Sequence, residues 1–188
     1  MRREHALARI DPPTFEGMSA EQRAVHAVIA SGPRGAVYGP LAVWLHRVGL
    51  ADKAQALGQY CRYDSSLPPI LSELAILVTG RFWKSEFEWL AHKPIALKAG
   101  LSPAIVEAIR TNRAPAFDDE KQAAVYEFAS ALHREHEVSD SVYGRAVAAL
   151  GEGGVVDLTG ILGYYTLISM TINVFKVDPP KGMACELE

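Results

Sequence analysis

Apolar residues recur along most of the chain at helical spacing, and no stretch alternates long enough for a convincing strand. Residues 1–18 read as irregular, broken by Asp11-Pro12-Pro13 and Gly17. Ser19 with Gln22 three residues on forms a capping box, and the helix it opens runs to about residue 30. Ser31-Gly32-Pro33-Arg34-Gly35 is a loop, a short helix over 41–47 carries Trp44, and a longer one covers 51–63. After Asp64-Ser65-Ser66 and Pro68-Pro69 comes a helix over 69–82 that is apolar on nearly every face. Ser85 caps the next, which Pro94 should kink and Gly100 should end. Ser102-Pro103 opens a helix to about residue 112. A long amphipathic helix follows over 118–137, then one over 139–150. The loop Gly151-Glu152-Gly153-Gly154 leads into an apolar helix over 155–175, and a tail over 177–188 reads as irregular. These elements make one all-α domain, residues 1–188, of about eight helices.

The last apolar helix is uncharged over the 18 residues 158–175, the lower edge of spanning length. Its glycines, Thr, Ser and Asn173, and the missing basic flank, favour a buried core helix over a membrane span. The 188 residues carry 19 Lys and Arg against 22 Asp and Glu, a net charge of −3, with no basic cluster. Nucleic acid is therefore not expected as a partner. The two cysteines, Cys61 and Cys185, form no CxxC pair, and no signal-like segment follows the charged start, so the expected compartment is the cytoplasm.

Chemistry concentrates in Ser85-Glu86-Phe87-Glu88-Trp89-Leu90-Ala91-His92. At helical spacing Ser85, Glu88 and His92 share one stripe at the edge of the buried surface, while Glu86 and Lys93 fall on a face assigned to solvent. Glu73, set among Leu71, Leu74, Ile76 and Leu77, lies on the preceding helix. Packed as a hairpin, the two helices would bring Glu73, Glu88 and His92 together, an arrangement suited to general acid–base work. Two other readings stay open: an ordinary i,i+4 helix pair, and a metal site of Glu88, His92 and Glu73. His133 and His136 read as a charged, solvated helix end, and His5, His26 and His46 stand alone. Tyr164, Tyr165 and Asn173 could satisfy buried hydrogen bonds or line a pocket, and Arg34 could be a turn residue or bind a carboxylate.

The stretches Leu71-Ser72-Glu73-Leu74-Ala75-Ile76-Leu77, Ser85 to His92, and Ala96-Leu97-Lys98-Ala99-Gly100-Leu101-Ser102 resemble the core of the carboxymuconolactone decarboxylase family. That family shares its fold with the AhpD-type alkylhydroperoxidases. The resemblance is strongest over 70–112, with a looser likeness over 19–175. In the peroxidase branch it implies two cysteines where this chain has Ser85 and Glu88, with His92 and Glu73 at the positions of the relay histidine and glutamate. Without those thiols the peroxidase reaction has no nucleophile. The decarboxylase branch instead implies a lyase without cofactor or metal, acting on a small carboxylated lactone or cyclic substrate. On that reading His92 donates a proton, Glu88 or Glu73 orients it, and Ser85 touches substrate. Trp89, Arg34, Tyr164 and Asn173 are the binding candidates. The resemblance also implies a homo-oligomer of two, three or six copies, and the core reading of the last helix leaves no membrane partner expected. The alternatives are another Glu/His enzyme on the same scaffold (a hydratase, isomerase or hydrolase, with or without a metal) or a non-catalytic ligand-binding oligomer.

Overall fold

The apolar periodicities become eight α-helices and one π-helical turn, with no strand among the described residues of this computed structural model, which are 8–180 and 182–187. In chain order the helices are α1 (Ala20–Ser31), α2 (Pro40–Trp44), α3 (Val48–Gln59), α4 (Pro69–Phe82), α5 (Glu86–Lys98), α6 (Pro103–Arg110), α7 (Glu120–Glu135) and α8 (Asp140–Phe175). The π-turn, Tyr60–Asp64, follows α3 directly.

The helix ends are set by local chemistry. Ser19 and Gln22 cap α1 reciprocally: the Ser19 hydroxyl accepts from the Gln22 N–H and the Gln22 amide oxygen from the Ser19 N–H. Asp119 caps α7 and Ser139 caps α8. At the end of α5 Gly100 takes φ 99°, so that Leu101 N–H can reach the Ala96 carbonyl at 3.0 Å. Pro94 lies inside α5, and the helix continues through it.

Helix α4 is the axis of the molecule. Its residues Leu71 through Gly80 are all buried, because α5, α7 and α8 pack around it. Lys84 turns the chain from α4 into α5 with φ 49°, a left-handed position more usual for glycine, while Ser85 N–H bonds to the Gly80 carbonyl. The resulting antiparallel hairpin decides which faces of α4 and α5 meet. Helix α8 adds Leu158, Ile161, Leu162, Ile168 and Ile172 to the same continuous core. By length and composition α8 could cross a membrane, but these side chains are buried against its neighbours.

Three segments differ from expectation. The helices expected over 139–150 and 155–175 are both present within α8 and meet at a kink, where Gly151 alone is non-helical (φ 75°, ψ 165°), so the expected four-residue loop shrinks to one residue. The face of Glu86 and Lys93, assigned to solvent, is instead covered by the C-terminal segment. Glu86 accepts the backbone N–H groups of Glu186 and Leu187, and the Glu186 carboxylate takes Lys93 at 2.7 Å and the Trp89 indole N–H at 3.0 Å. Helix α3 stops at Gln59, and Ser65 N–H bonds back five residues to the Tyr60 carbonyl.

The cause of that last change lies on α8. Buried Asp157 accepts the Tyr60 hydroxyl at 2.6 Å, the Ser66 N–H at 2.7 Å and the Ser66 hydroxyl at 2.6 Å. Burial disfavours its charge, but these bonds outweigh burial and hold the carboxyl below its ordinary value. Asp157→Ala leaves a buried backbone N–H and two hydroxyls without their acceptor. A loss of about 1–3 kcal/mol in urea unfolding is expected, together with loosening of the π-turn. A variant as stable as the parent would contradict this role.

Candidate active site

The α4–α5 hairpin brings together three ionisable side chains that are each 4% exposed: Glu73, Glu88 and His92. Glu73 projects from α4, while Glu88 and His92 lie one turn apart on α5. Glu73 Oε2 is 2.7 Å from His92 Nδ1, and Glu88 Oε1 is 2.9 Å from His92 Nε2. The ring therefore sits between two carboxylates, one on each nitrogen. An imidazolium satisfies both contacts, since each nitrogen then donates. Burial by itself would drive the proton off, but Glu73 and then Glu88 more than offset it and raise the His92 pKa to about 9. The Tyr165 ring meets the imidazole edge to face at a centroid distance of 5.1 Å.

The cluster opens on a cavity of about 190 Å³. That is smaller than the roughly 300–1,000 Å³ of drug-sized ligand sites. Glu88 and His92 are in its lining and Glu73 is not. Nδ1 is thus held from behind, and Nε2 lies on the side of the cavity. The remaining wall includes Phe87, Tyr164, Tyr165, Arg34 and Arg62.

The arginines come from segments with little helical regularity. Arg34 lies in the Gly-Pro-Arg-Gly loop, and Arg62 lies in the π-turn. Burial opposes the Arg62 charge, but Tyr165, Tyr63, Glu73 and Glu88 outweigh burial and hold the guanidinium protonated. Arg34 Nη2 and the Tyr164 hydroxyl are buried beside each other, and neither has another hydrogen-bond partner among the described residues. Both point at Gly58, where a Cβ would fall 2.1 Å from the Tyr164 oxygen and 2.5 Å from Arg34 Nη2. Glycine at 58 is the space these two polar groups occupy. Burial pushes the Tyr164 phenol up, and Arg34 beside it pulls the other way.

Of the candidates read from the sequence, the structure brings Glu73, Glu88 and His92 into contact and places Arg34 and Tyr164 in the same cavity wall. Three others lie elsewhere. Trp89 is fully buried on the opposite side of α5, where its indole N–H donates to Glu186. Asn173 is exposed, and its Nδ2 donates to the Trp83 carbonyl, which ties α8 to the end of α4. Ser85 is fully buried at the start of α5, outside the cavity lining, and its hydroxyl makes neither a cap bond nor any other hydrogen bond among the described residues. Glu88 and His92, expected at the edge of the buried surface, are inside it because α4 and α8 close over them.

The other histidines have structural surroundings. His133, expected in solvent, is buried; its Nε2 is 2.9 Å from the Thr79 hydroxyl and its ring stacks on Phe82 at 4.9 Å. Burial, then the neighbouring His136, lowers its pKa to about 4. His136 ends α7 in a left-handed conformation, His46 bonds to the Asp11 carbonyl, and His26 packs edge to face on Phe15. His5 lies outside the described residues. Among the described residues no three His, Cys, Asp or Glu side chains are arranged to hold a metal ion, and both His92 nitrogens are already engaged. Cys61 is buried, and burial followed by the Asp157 charge pushes its thiol up to about 11, so it stays protonated at neutral pH. Neither Cys61 nor Cys185 lines the cavity.

Arg62 was not singled out from the sequence. Helical spacing from α3 misplaces it, because the π-turn adds a residue to the turn and re-aims the side chain.

Comparison with known proteins locates this geometry. Residues 49–131 match the carboxymuconolactone decarboxylase family. No curated protein matches the chain by sequence. Among solved structures, an uncharacterized peroxidase-related protein with an alkylhydroperoxidase AhpD core, from Ralstonia eutropha, is similar with a TM-score of 0.76 at 16% identity, covering 95% of each chain. A peroxidase-related protein from Silicibacter sp. has a TM-score of 0.75 at 15% identity, covering 96% of each chain. A debrominase in its apo form has a TM-score of 0.72 at 12% identity, covering 90% of this chain and 91% of its own. At these identities the likeness is one of fold: the chain is all-α and AhpD-like.

The buried imidazolium links stability to pH. With a folded-state pKa near 9 against 6.5 for the free side chain, the native state binds the extra proton between those values. The stabilisation is complete below pH 6.5 and is lost as pH rises through 9. Urea unfolding of the parent should therefore weaken between pH 6.5 and 9, and His92→Gln should remove most of that slope. The same slope in the variant would contradict the assignment.

Proposed function

From the match of residues 49–131 to the carboxymuconolactone decarboxylase family, in a form without the cysteine pair, we propose that this protein is a cofactor-independent carbon–carbon lyase that decarboxylates a small carboxylated lactone or cyclic acid. The observation that carries the reading is one cavity lined by both the acid–base pair Glu88–His92 and the cations Arg34 and Arg62. Buried polar groups without partners are costly, about 1–3 kcal/mol each. Arg34 Nη2 and the Tyr164 hydroxyl have only each other, and a bound carboxylate would give this pair a charged acceptor.

The proposed step needs no group beyond the chain. The bond between carbon and carboxylate breaks, carbon dioxide leaves, and its electron pair passes into a neighbouring carbonyl as an enolate. Arg62 faces that developing charge from the π-turn. His92 then gives its Nε2 proton to carbon, while Glu73 keeps Nδ1 bonded and the ring oriented. The Glu88 carboxylate holds Nε2–H toward the cavity until transfer. Phe87, Tyr164 and Tyr165 exclude water from the wall, which strengthens each charge interaction. Neutral His92 regains its proton from solvent.

A buried triad with no adjoining space would favour a purely structural network, whereas this triad borders a cavity holding two cations. A thiol peroxidase reading lacks support: positions 85 and 88 are Ser and Glu, and Cys61 stays a buried thiol. A cytoplasmic homo-oligomer fits the proposal. Val156, Met170 and Val174 are exposed along α8, and Gly160 and Gly163 beside them face open space, as a helix face that packs on another copy would require.

The test is a screen of keto acids and lactone acids for released carbon dioxide, followed by variants on the best substrate. His92→Ala should abolish turnover with unchanged helix content in circular dichroism. Arg62→Gln should raise KM and lower kcat by roughly tenfold or more, the scale of one lost charge-assisted contact. Turnover by the parent should fall as pH rises above about 9, where His92 loses its proton. A fully active His92→Ala variant would remove the proposed donor. Peroxide consumption with a dithiol that is lost when both cysteines are substituted would contradict the exclusion of thiol chemistry.

A further inference from the structure

A second cavity, of about 40 Å³, lies at the other end of α4 between α6 and α7. Glu73 and Arg81 are eight residues apart on α4, about 12 Å along the helix axis, so this space is distinct from the candidate active site. Its lining includes Arg81 on α4, Arg113 just after α6 and Arg134 on α7, together with Asn112, Ser130 and His133. No Asp or Glu lines it. Among the described residues the arginine–carboxylate ion pairs are Arg110–Glu107 and Arg145–Glu127, and neither includes these three arginines. Arg81 Nε is buried with no hydrogen-bond partner among the described residues, and Arg113 Nε donates only to the Thr111 hydroxyl. In a protein of net charge −3 these three guanidinium groups make a positive hollow; Arg113 and Arg134 are exposed and Arg113 also feels the Glu107 carboxylate, so the desolvated donor that calls for an acceptor is Arg81 Nε.

His133 has a fixed tautomer. The Thr79 hydroxyl gives its one proton to the Ala75 carbonyl at 2.9 Å, so it accepts from His133 Nε2–H at 2.9 Å. The ring carries its lone pair on Nδ1 and burial keeps it neutral at neutral pH, so the arginines alone supply the positive charge of the hollow.

We infer that this cavity is a separate binding site for a small oxyanion of the phosphate class, taken up as the free ion or as the end of a phosphomonoester. Planar guanidinium forks suit tetrahedral oxyanions, and the hollow is sized for one such group rather than for an organic substrate. The Asn112 amide and the Ser130 hydroxyl supply neutral donors at the rim.

Calorimetric titration of the full chain with inorganic phosphate, at ionic strength held constant with chloride, tests the site. Saturable binding of one phosphate per chain is expected, with a rise in melting temperature that follows occupancy. Arg81→Gln and Arg134→Gln should each weaken binding by roughly tenfold or more. Arg134 is exposed, so its substitution keeps the test valid should Arg81→Gln fail to fold. Arg34→Gln and Arg62→Gln should bind phosphate as the parent does. Phenyl phosphate separates the two sources: tighter binding than phosphate identifies a monoester site, and equal or weaker binding a site for the free ion. Absence of saturable binding would overturn the inference. So would unchanged affinity in the Arg81 and Arg134 variants, or loss of binding in the Arg34 or Arg62 variants, which would place the anion in the larger cavity.

Discussion

The site depends on one buried imidazole held between two carboxylates. Glu73 on Nδ1 and Glu88 on Nε2 leave His92 no stable neutral arrangement with both contacts donating, so the proton is retained against burial. A cation and two anions in this setting are desolvated at considerable expense, and removing one partner leaves the rest uncompensated. That makes the cluster a poor means of gaining stability and a good means of storing a proton next to a cavity. The helix hairpin around Lys84 supplies the geometry: with α4 and α5 antiparallel and tightly turned, the ring of His92 can reach the carboxylate of Glu73.

A second constraint shapes the opposite wall. Asp157 draws the end of α3 into a π-turn, and that turn places Arg62 across from the acid–base pair. Gly58, one turn earlier, leaves room for the Tyr164 hydroxyl and Arg34. Acid and cation thus come from different parts of the chain: the ionised cluster from a regular hairpin, and the guanidinium groups from a loop and a distorted helix end. In the proposed reaction the regular part supplies the proton and the irregular part supplies the positive charge.

Much of the fold was legible in the chain. Ser19, Ser102, Ser139 and Gly100 mark helix ends by local chemistry alone, and the all-apolar run of α4 announces a central helix. The Glu73–Glu88–His92 grouping was legible because helical spacing and a short connection leave few ways to pack the two helices. The rest was decided by contacts between segments distant in sequence. Arg62 depends on Asp157, which follows it by 95 positions. Trp89 and Lys93 depend on Glu186 in the C-terminal segment, which no periodicity places. His133 reads as solvated from its charged neighbours, yet it turns inward to Thr79 and Phe82. Asn173 sits in an apolar helix by sequence, but its face points outward.

Nitrogen-15 NMR of the His92 ring, followed across pH, interrogates the stored proton without requiring a substrate. Both ring nitrogens should carry hydrogen at neutral pH, and one should be lost only near pH 9. A ring that is neutral at pH 7, with one bare nitrogen, would contradict the charge state on which the proposed chemistry rests.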